Sequence, residues 1–260
     1  DALYVILCMW LAISIIGLIH LAGFLIAYLK QTDHYTDIIY ALSFLAIAGY
    51  GLFLHPSPDI FHWILFLMIS LWSIRLAVYL GYRIRIWGHD KRFDRFRKAW
   101  KRLLRFWVLQ YLSILIIALP MIIALPKEVT ELGFWQGFGL IIFMTGLLIE
   151  SIADFQKFVF KLKEKNKKAF IQSGLWKYSR HPNYLGEWLV WLGVFLFCMP
   201  VFTGFEWIAV LSPLWIFILL RFISGGNLLE NSAKAKHGNN PIYQSYVANT
   251  GIFFPKITIR

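Results

Sequence analysis

Charge is what this sequence has least of. Of its 260 residues only 15% are Asp, Glu, Lys or Arg, and just 14 are acidic. An ordinary soluble domain carries about 25% charged residues, so apolar side chains stand here where water would demand charge. Hydrophobic residues make up 59% of the chain, 12 of them tryptophans, and the mean hydropathy is +0.62. This excludes a disordered chain and points to a polytopic membrane protein. Cysteine is nearly missing: Cys8 and Cys198 both sit in apolar runs, which excludes a disulfide framework and a cysteine-rich metal site. The seven histidines, at 20, 34, 55, 62, 89, 181 and 237, form no HxxxH, HxxHH or HExxH spacing. A membrane di-iron oxygenase or zinc protease would therefore lack its ligands, and no metal is expected. GxGxxG and GxxxxGK[ST] are absent, and Gly49 and Gly51 read as helix packing. Internal repeats, low-complexity tracts and a soluble domain are missing too.

What is present is a series of apolar stretches of bilayer length. Residues 3–29, 106–126, 132–149 and 185–205 read as spans, joined by 38–54, by 60–82 with its single Arg75, and by the shorter 207–222. The first is too long for a signal-peptide core, lacks a basic leader and has no small-residue cleavage site, so it reads as a membrane helix. The expected fold is an all-α bundle of about seven transmembrane helices, a single integral membrane domain over 1–260. With seven spans and an external N-terminus, 24 of the 26 Lys and Arg residues fall on one side. Six spans would put the tail's five basic residues on the wrong side, so the positive-inside rule favours N-terminus out and C-terminus in, with a cytoplasmic tail over 223–260. The net charge of +12 is then mostly topology and does not require nucleic acid. A polar ligand would approach from the cytoplasm, where the longer extramembrane pieces lie.

Three segments carry possible chemistry. The fifth span runs without a breaker to about residue 161, and Glu150, Asp154, Lys157 and Lys161 recur at i, i+4, i+7 and i+11. On a continuing helix they form one face of two carboxylates and two ammonium groups. The structural reading is a salt-bridged helix end, but Glu150 lies at membrane depth, where an ionisable group usually faces a polar cavity. The second segment is GLWKYSRHPNYLGEW, residues 174–188. Pro182 suits the first turn of a helix, which puts Arg180 and His181 at its N-terminus, with backbone N–H groups expected to be open to a phosphate. Asn183, Glu187 and Trp191 then share a face entering the bilayer; the structural alternative is a capped helix start with a paired Glu. The third is the tail, with Asn227-Leu228-Leu229-Glu230, then Tyr243 and Tyr246 at i, i+3 and an aromatic end at Phe253-Phe254-Pro255. It reads either as an interfacial anchor or as a cover over a ligand.

Together, Glu150, Asp154, Gln156, Lys157, the RHPNYLGEW run, SGGNLLE and the YQSY…FFP end resemble the integral-membrane steroid 5-alpha-reductase C-terminal-domain family, most nearly its bacterial branch catalogued as a domain of unknown function. LWSIRLAVYLGYRIR…HDKRF and the Asp37 region match earlier pieces. The resemblance implies a multi-pass enzyme, in a bacterial inner membrane, that binds NADPH in a cytoplasm-facing cavity. It would reduce an activated carbon–carbon double bond in a lipophilic substrate, steroid-like or otherwise a product of lipid metabolism.

Carried over by position, Glu150 and Asp154 would contact the nucleoside part, and Lys157 and Lys161, where steroid reductases carry arginines, the phosphates. Arg180 and His181 would lie by the pyrophosphate, and Tyr178 would also contact the cofactor; Asn183, Tyr184 and Glu187 would hold the nicotinamide-ribose half. Tyr243 and Tyr246 from the tail, and Tyr79 and Arg83 on the third span, would border the cofactor. Hydride transfer to an enone needs an acid for the developing enolate. The Glu that the family carries on the second span is missing here, and Trp72 stands where it has a Tyr. Asp37 is the expected acid, with a helix cap before Ile38 as its structural alternative. Isoprenylcysteine carboxyl methyltransferases share the RHPxY element and a Glu…Tyr…Pro tail. The alternative is therefore a membrane methyltransferase using S-adenosylmethionine, held by RHPNY and Glu230.

Overall fold

The computed structural model describes residues 2–32, 35–87, 99–163, 169–223 and 225–256. The basic run at 88–98, which includes the HDKRF match, and the lysines at 165, 167 and 168 lie outside the described residues. Those described form ten α-helices and no strand: α1 (Ala2–Lys30), α2 (Thr36–Leu54), α3 (Ile60–Trp87), α4 (Trp100–Ile117), α5 (Leu119–Ala124), α6 (Phe134–Leu162), α7 (Pro182–Cys198), α8 (Leu211–Ile218), α9 (Gly226–His237) and α10 (Pro241–Asn249). Short 3-10 turns cover Gly174–Lys177, Met199–Val201 and Gly204–Val210, and α8 passes into a π-helical turn, Leu219–Ile223.

Among the described residues six stretches are long and apolar enough to cross a membrane: Ile6–Lys30, Thr36–Leu54, Ile60–Ile86, Phe134–Leu162, Pro182–Val201 and Gly204–His237. The protein is thus a multi-pass integral membrane protein. Large apolar side chains such as Trp10, Leu18, Phe53, Phe155 and Phe205 are exposed, a surface suited to acyl chains and costly in water. The expected span at 106–126 has a different form. Its residues are shared between α4, whose first turns carry Lys101, Arg102 and Arg105, and the buried α5. Pro120, at the start of α5, has no N–H to continue the α4 ladder, and the helix restarts there.

By packing the chain divides into two compact units, Asp1–Leu140 with Val194–Ser212, and Ile141–Gly193 with Pro213–Arg260. In the first, α2 packs against α3 and α1, and α1 against α4. Gly23 lets α1 close on its neighbours: a Cβ there would meet Ile39 and Trp107, which form a buried cluster with Ala27 and Leu103. Tyr40, Phe44 and Trp72 meet edge-to-face between α2 and α3, with centroids 5.2–6.0 Å apart. The turn before α3 is clasped from several sides. Asp59 accepts the His62 backbone N–H at 3.1 Å and the Val129 N–H at 2.8 Å. His55 and His62 both donate through Nε2 to the Leu125 carbonyl, at 2.7 and 3.0 Å.

In the second unit α6 and α7 cross at glycines. A Cβ on Gly146 would lie 2.6 Å from the Gly186 carbonyl, and one on Gly186 2.5 Å from the Glu150 amide nitrogen. The 3-10 turn at Gly174–Lys177 docks on α6, with the Trp176 indole donating to the Ala153 carbonyl at 3.0 Å and the Leu175 N–H to Gln156 Oε1 at 2.9 Å. Gly174 turns there with φ of +61°, a conformation that favours glycine. The aromatic end of the tail anchors back: Phe253 packs on Tyr184 and Phe217, and Phe254 on Trp188.

Candidate functional site

The second unit encloses a cavity of about 630 Å³, within the roughly 300–1,000 Å³ usual for small-molecule sites. Its walls come from four pieces of sequence. The end of α6 supplies Lys157, Phe160 and Lys161, and the segment before α7 supplies Phe170, Trp176, Arg180 and His181. From α9 come Glu230, Ser232, Lys236 and His237, and from α10 Tyr243 and Tyr246. The α6 pair arrives together because i and i+4 share a face. Arg180 and His181 are presented by the start of α7, which begins at Pro182 as its sequence predicts.

Two ends of the cavity differ in chemistry. At one, Arg180 Nη1 lies 2.8 Å from Glu230 Oε2, and His181 Nε2 donates to Glu230 Oε1 at 2.8 Å. Burial pushes the His181 imidazole below its ordinary pKa, and Glu230 opposes that only in part. At the other, Phe170 is surrounded by His237, Tyr243 and Tyr246, with centroids 5.1–5.7 Å away. The Tyr246 hydroxyl donates to the Trp176 carbonyl at 2.7 Å, and burial raises its pKa well above the ordinary value. Lys157 Nζ sits 4.6 Å from the Trp176 ring centroid, a cation–π contact that places an ammonium group at the wall. Among the described residues the lining carries the cations Lys157, Lys161, Arg180 and Lys236 against one carboxylate, Glu230.

Six sequence-predicted site residues therefore meet in one cavity: Lys157, Lys161, Arg180, His181, Tyr243 and Tyr246. Glu150 and Asp154 are buried on α6, at 3% and 5% exposure, and Asn183, Tyr184 and Glu187 are half-buried on α7. None of these five lines this cavity, although Tyr184 stacks on His181 at 5.2 Å. Tyr178 is 59% exposed and stands outside it. Asp37, Tyr79 and Arg83 belong to the first unit. There Asp37 lies in the first turn of α2, inside the helix instead of capping it, and its Oδ2 is 3.7 Å from Arg83 Nη2.

The expectation that amide groups at the start of α7 are open to a phosphate is corrected. The tail occupies two of them, Arg180 N–H donating to the Gly251 carbonyl at 2.9 Å and His181 N–H to that of Ile252 at 3.1 Å. Sequence reasoning had not assigned Phe170, Trp176, Ser232, Lys236 or His237 to a site. The signal for Lys236 and His237 was their place on the last turn of a helix that begins in the quoted NLLE run. Phe170 follows a charged run and offers no pattern.

The fold and the cavity define an all-helical, multi-pass membrane protein with a cationic, aromatic-walled site. Over residues 23–250 the chain matches the family described as Protein of unknown function (DUF1295), and it belongs to that family. It is also similar to the uncharacterized protein C594.04c of Schizosaccharomyces pombe, 27% identical over 224 residues, 72% of this chain. The match covers 61% of that relative's length. No solved structure matches.

Proposed function

We propose that the protein is an NADPH-dependent membrane oxidoreductase, similar to the steroid 5-alpha-reductases, that reduces an activated C=C bond in a lipophilic, steroid- or lipid-like substrate. The observation that carries this reading is the cavity's charge pattern: four cations against one carboxylate among the described residues. Such a lining suits a ligand with three phosphate groups, since Arg and Lys bind phosphate through charge-assisted hydrogen bonds. S-adenosylmethionine carries a sulfonium cation and no phosphate. Glu230 is the one lining residue that favours it, as the methyltransferase alternative requires.

In this reading Lys157, Lys161, Lys236 and Arg180 hold the phosphates, and Trp176, Phe170 and Tyr243 offer ring faces to the bases. Tyr246, tied to the Trp176 carbonyl, fixes the wall between them. Glu150, Asp154, Asn183, Tyr184 and Glu187 offer a further polar set for the sugar hydroxyls. When bound, NADPH supplies a hydride from C4 of its nicotinamide to the β-carbon of the enone. Asp37 is the proposed proton source for the enolate. Its Oδ2 lies 3.7 Å from Arg83 Nη2. We further propose seven spans, with α4 and α5 together as the fourth, an external N-terminus and a cytoplasmic cavity in a bacterial inner membrane.

The test is thermal shift of the detergent-purified protein with NADPH, NADH and S-adenosylmethionine. NADPH at a hundred times its Kd should add about 2.7 kcal/mol of stability. A Lys157→Ala, Lys161→Ala double variant should weaken NADPH binding by about tenfold or more. Stabilisation by S-adenosylmethionine with none by NADPH would overturn the reductase reading.

A further inference from the structure

We propose that Glu230 is a built-in counter-ion: its carboxylate occupies the seat of a ligand phosphate on Arg180 and His181, and the ligand enters by displacing it. This rests on reading the cavity as a polyphosphate site and adds how a ligand enters it. Both Glu230 oxygens are engaged, Oε2 with Arg180 Nη1 and Oε1 with His181 Nε2, each at 2.8 Å. Those two residues are its only hydrogen-bond or ion-pair partners among the described residues. The carboxylate is therefore held in place by the same two donors that a phosphate would seek.

The donors are incompletely used. Among the described residues Arg180 Nε, though buried, makes no hydrogen bond, and the guanidinium meets Glu230 through Nη1, short of the parallel pair it can deliver to one anion. A phosphate, with three oxygens and nearly two charges, can take Nη1 and Nη2 together and accept the His181 Nε2–H as well. Burying Arg180 beside His181 without any anion would be costly. The side chains are 12% and 7% exposed, and Glu230 meets that cost at rest. Glu230 itself is 22% exposed, which gives it a way out to water once Arg180 is claimed. The tail carbonyls of Gly251 and Ile252 hold the backbone of Arg180 and His181, so the exchange needs only side chains to move.

The experiment is calorimetric titration of the full-length protein in detergent with inorganic pyrophosphate and, separately, with NADPH. Wild type, Glu230→Gln, Glu230→Asp and Glu230→Gln combined with Arg180→Gln are compared. Removing the competing charge should tighten pyrophosphate binding about tenfold in Glu230→Gln. Glu230→Asp, which keeps the charge but draws it back by one methylene, should fall between, and the gain should vanish in the double variant. Pyrophosphate bound equally or more weakly by Glu230→Gln overturns the proposal. If that variant does not fold, Glu230→Asp decides: affinity at or below wild type overturns it. NADPH separates this proposal from the reading beneath it. Tighter pyrophosphate binding with no NADPH binding in any variant upholds the exchange and removes the cofactor. NADPH bound by wild type, with no gain for either ligand in Glu230→Gln, does the reverse.

Discussion

Asp59 shows how much one carboxylate can hold at a helix start. Burial alone would raise its pKa, but hydrogen bonds from the Val129 N–H and from the His62 backbone and ring outweigh that and keep the carboxyl below its ordinary value. A depressed folded pKa stabilises the protein above the unfolded value of about 3.9, and this is lost as pH falls through the folded pKa. Acid melting monitored by circular dichroism below about pH 4 should therefore be less steep in Asp59→Asn than in wild type. Loss of the helix-start contact in Asp59→Ala should cost about 1–2 kcal/mol near neutral pH, read as a lower Tm in detergent. At the candidate site the comparable residue is Tyr246, whose hydroxyl joins α10 to the 3-10 turn. Tyr246→Phe leaves the Trp176 carbonyl without that donor and should cost about 1 kcal/mol, with weaker NADPH binding as the wall loosens.

At the scale of elements, the crossing of α6 and α7 places the chemistry-bearing ends of both helices. Gly186→Val should force the backbones apart and cost about 1–3 kcal/mol, whereas Gly137→Ala, with nothing within 4 Å of the added Cβ, should be near neutral. Thermal melting of the two variants side by side checks this. Most elements were legible in the sequence. The fifth span's continuation to about residue 161, the helix start at Pro182 and the helical tail all follow from uninterrupted apolar period, proline at a first turn and a polar stretch after the last span. The break at 118–120 was less so, because an uncharged run of bilayer length reads as one span whether or not a proline divides it. The site was legible where periodicity applied, as for Lys157 with Lys161 and Tyr243 with Tyr246. It was not legible in local pattern where two distant segments meet: Glu230, 50 positions from Arg180, was joined to the RHPNY run only by the methyltransferase resemblance, and nothing announced the tail carbonyls that take the amides of Arg180 and His181.

For the whole molecule, the asymmetry of basic residues makes a directional prediction. Cys8 and Cys198 are both buried, so a new surface cysteine can be read against a quiet background. Ser232→Cys should react with a membrane-impermeant thiol reagent only from the cytoplasmic side and Glu128→Cys only from the outside; the opposite pattern would invert the proposed topology. Composition by itself determined that this chain lives in a bilayer and is helical. Water does not tolerate so much apolar surface, and in lipid a backbone must satisfy its own hydrogen bonds. The tertiary structure alone decided that Lys236 and Phe170 join Lys157, Lys161, Arg180 and Glu230 in one cavity, and that Asp37 faces Arg83. The physical reason is range: hydropathy and helical period act along the chain over a few turns. The cavity is made by helix crossings and by a tail that returns to the segment before α7, and these bring together residues with no local relation.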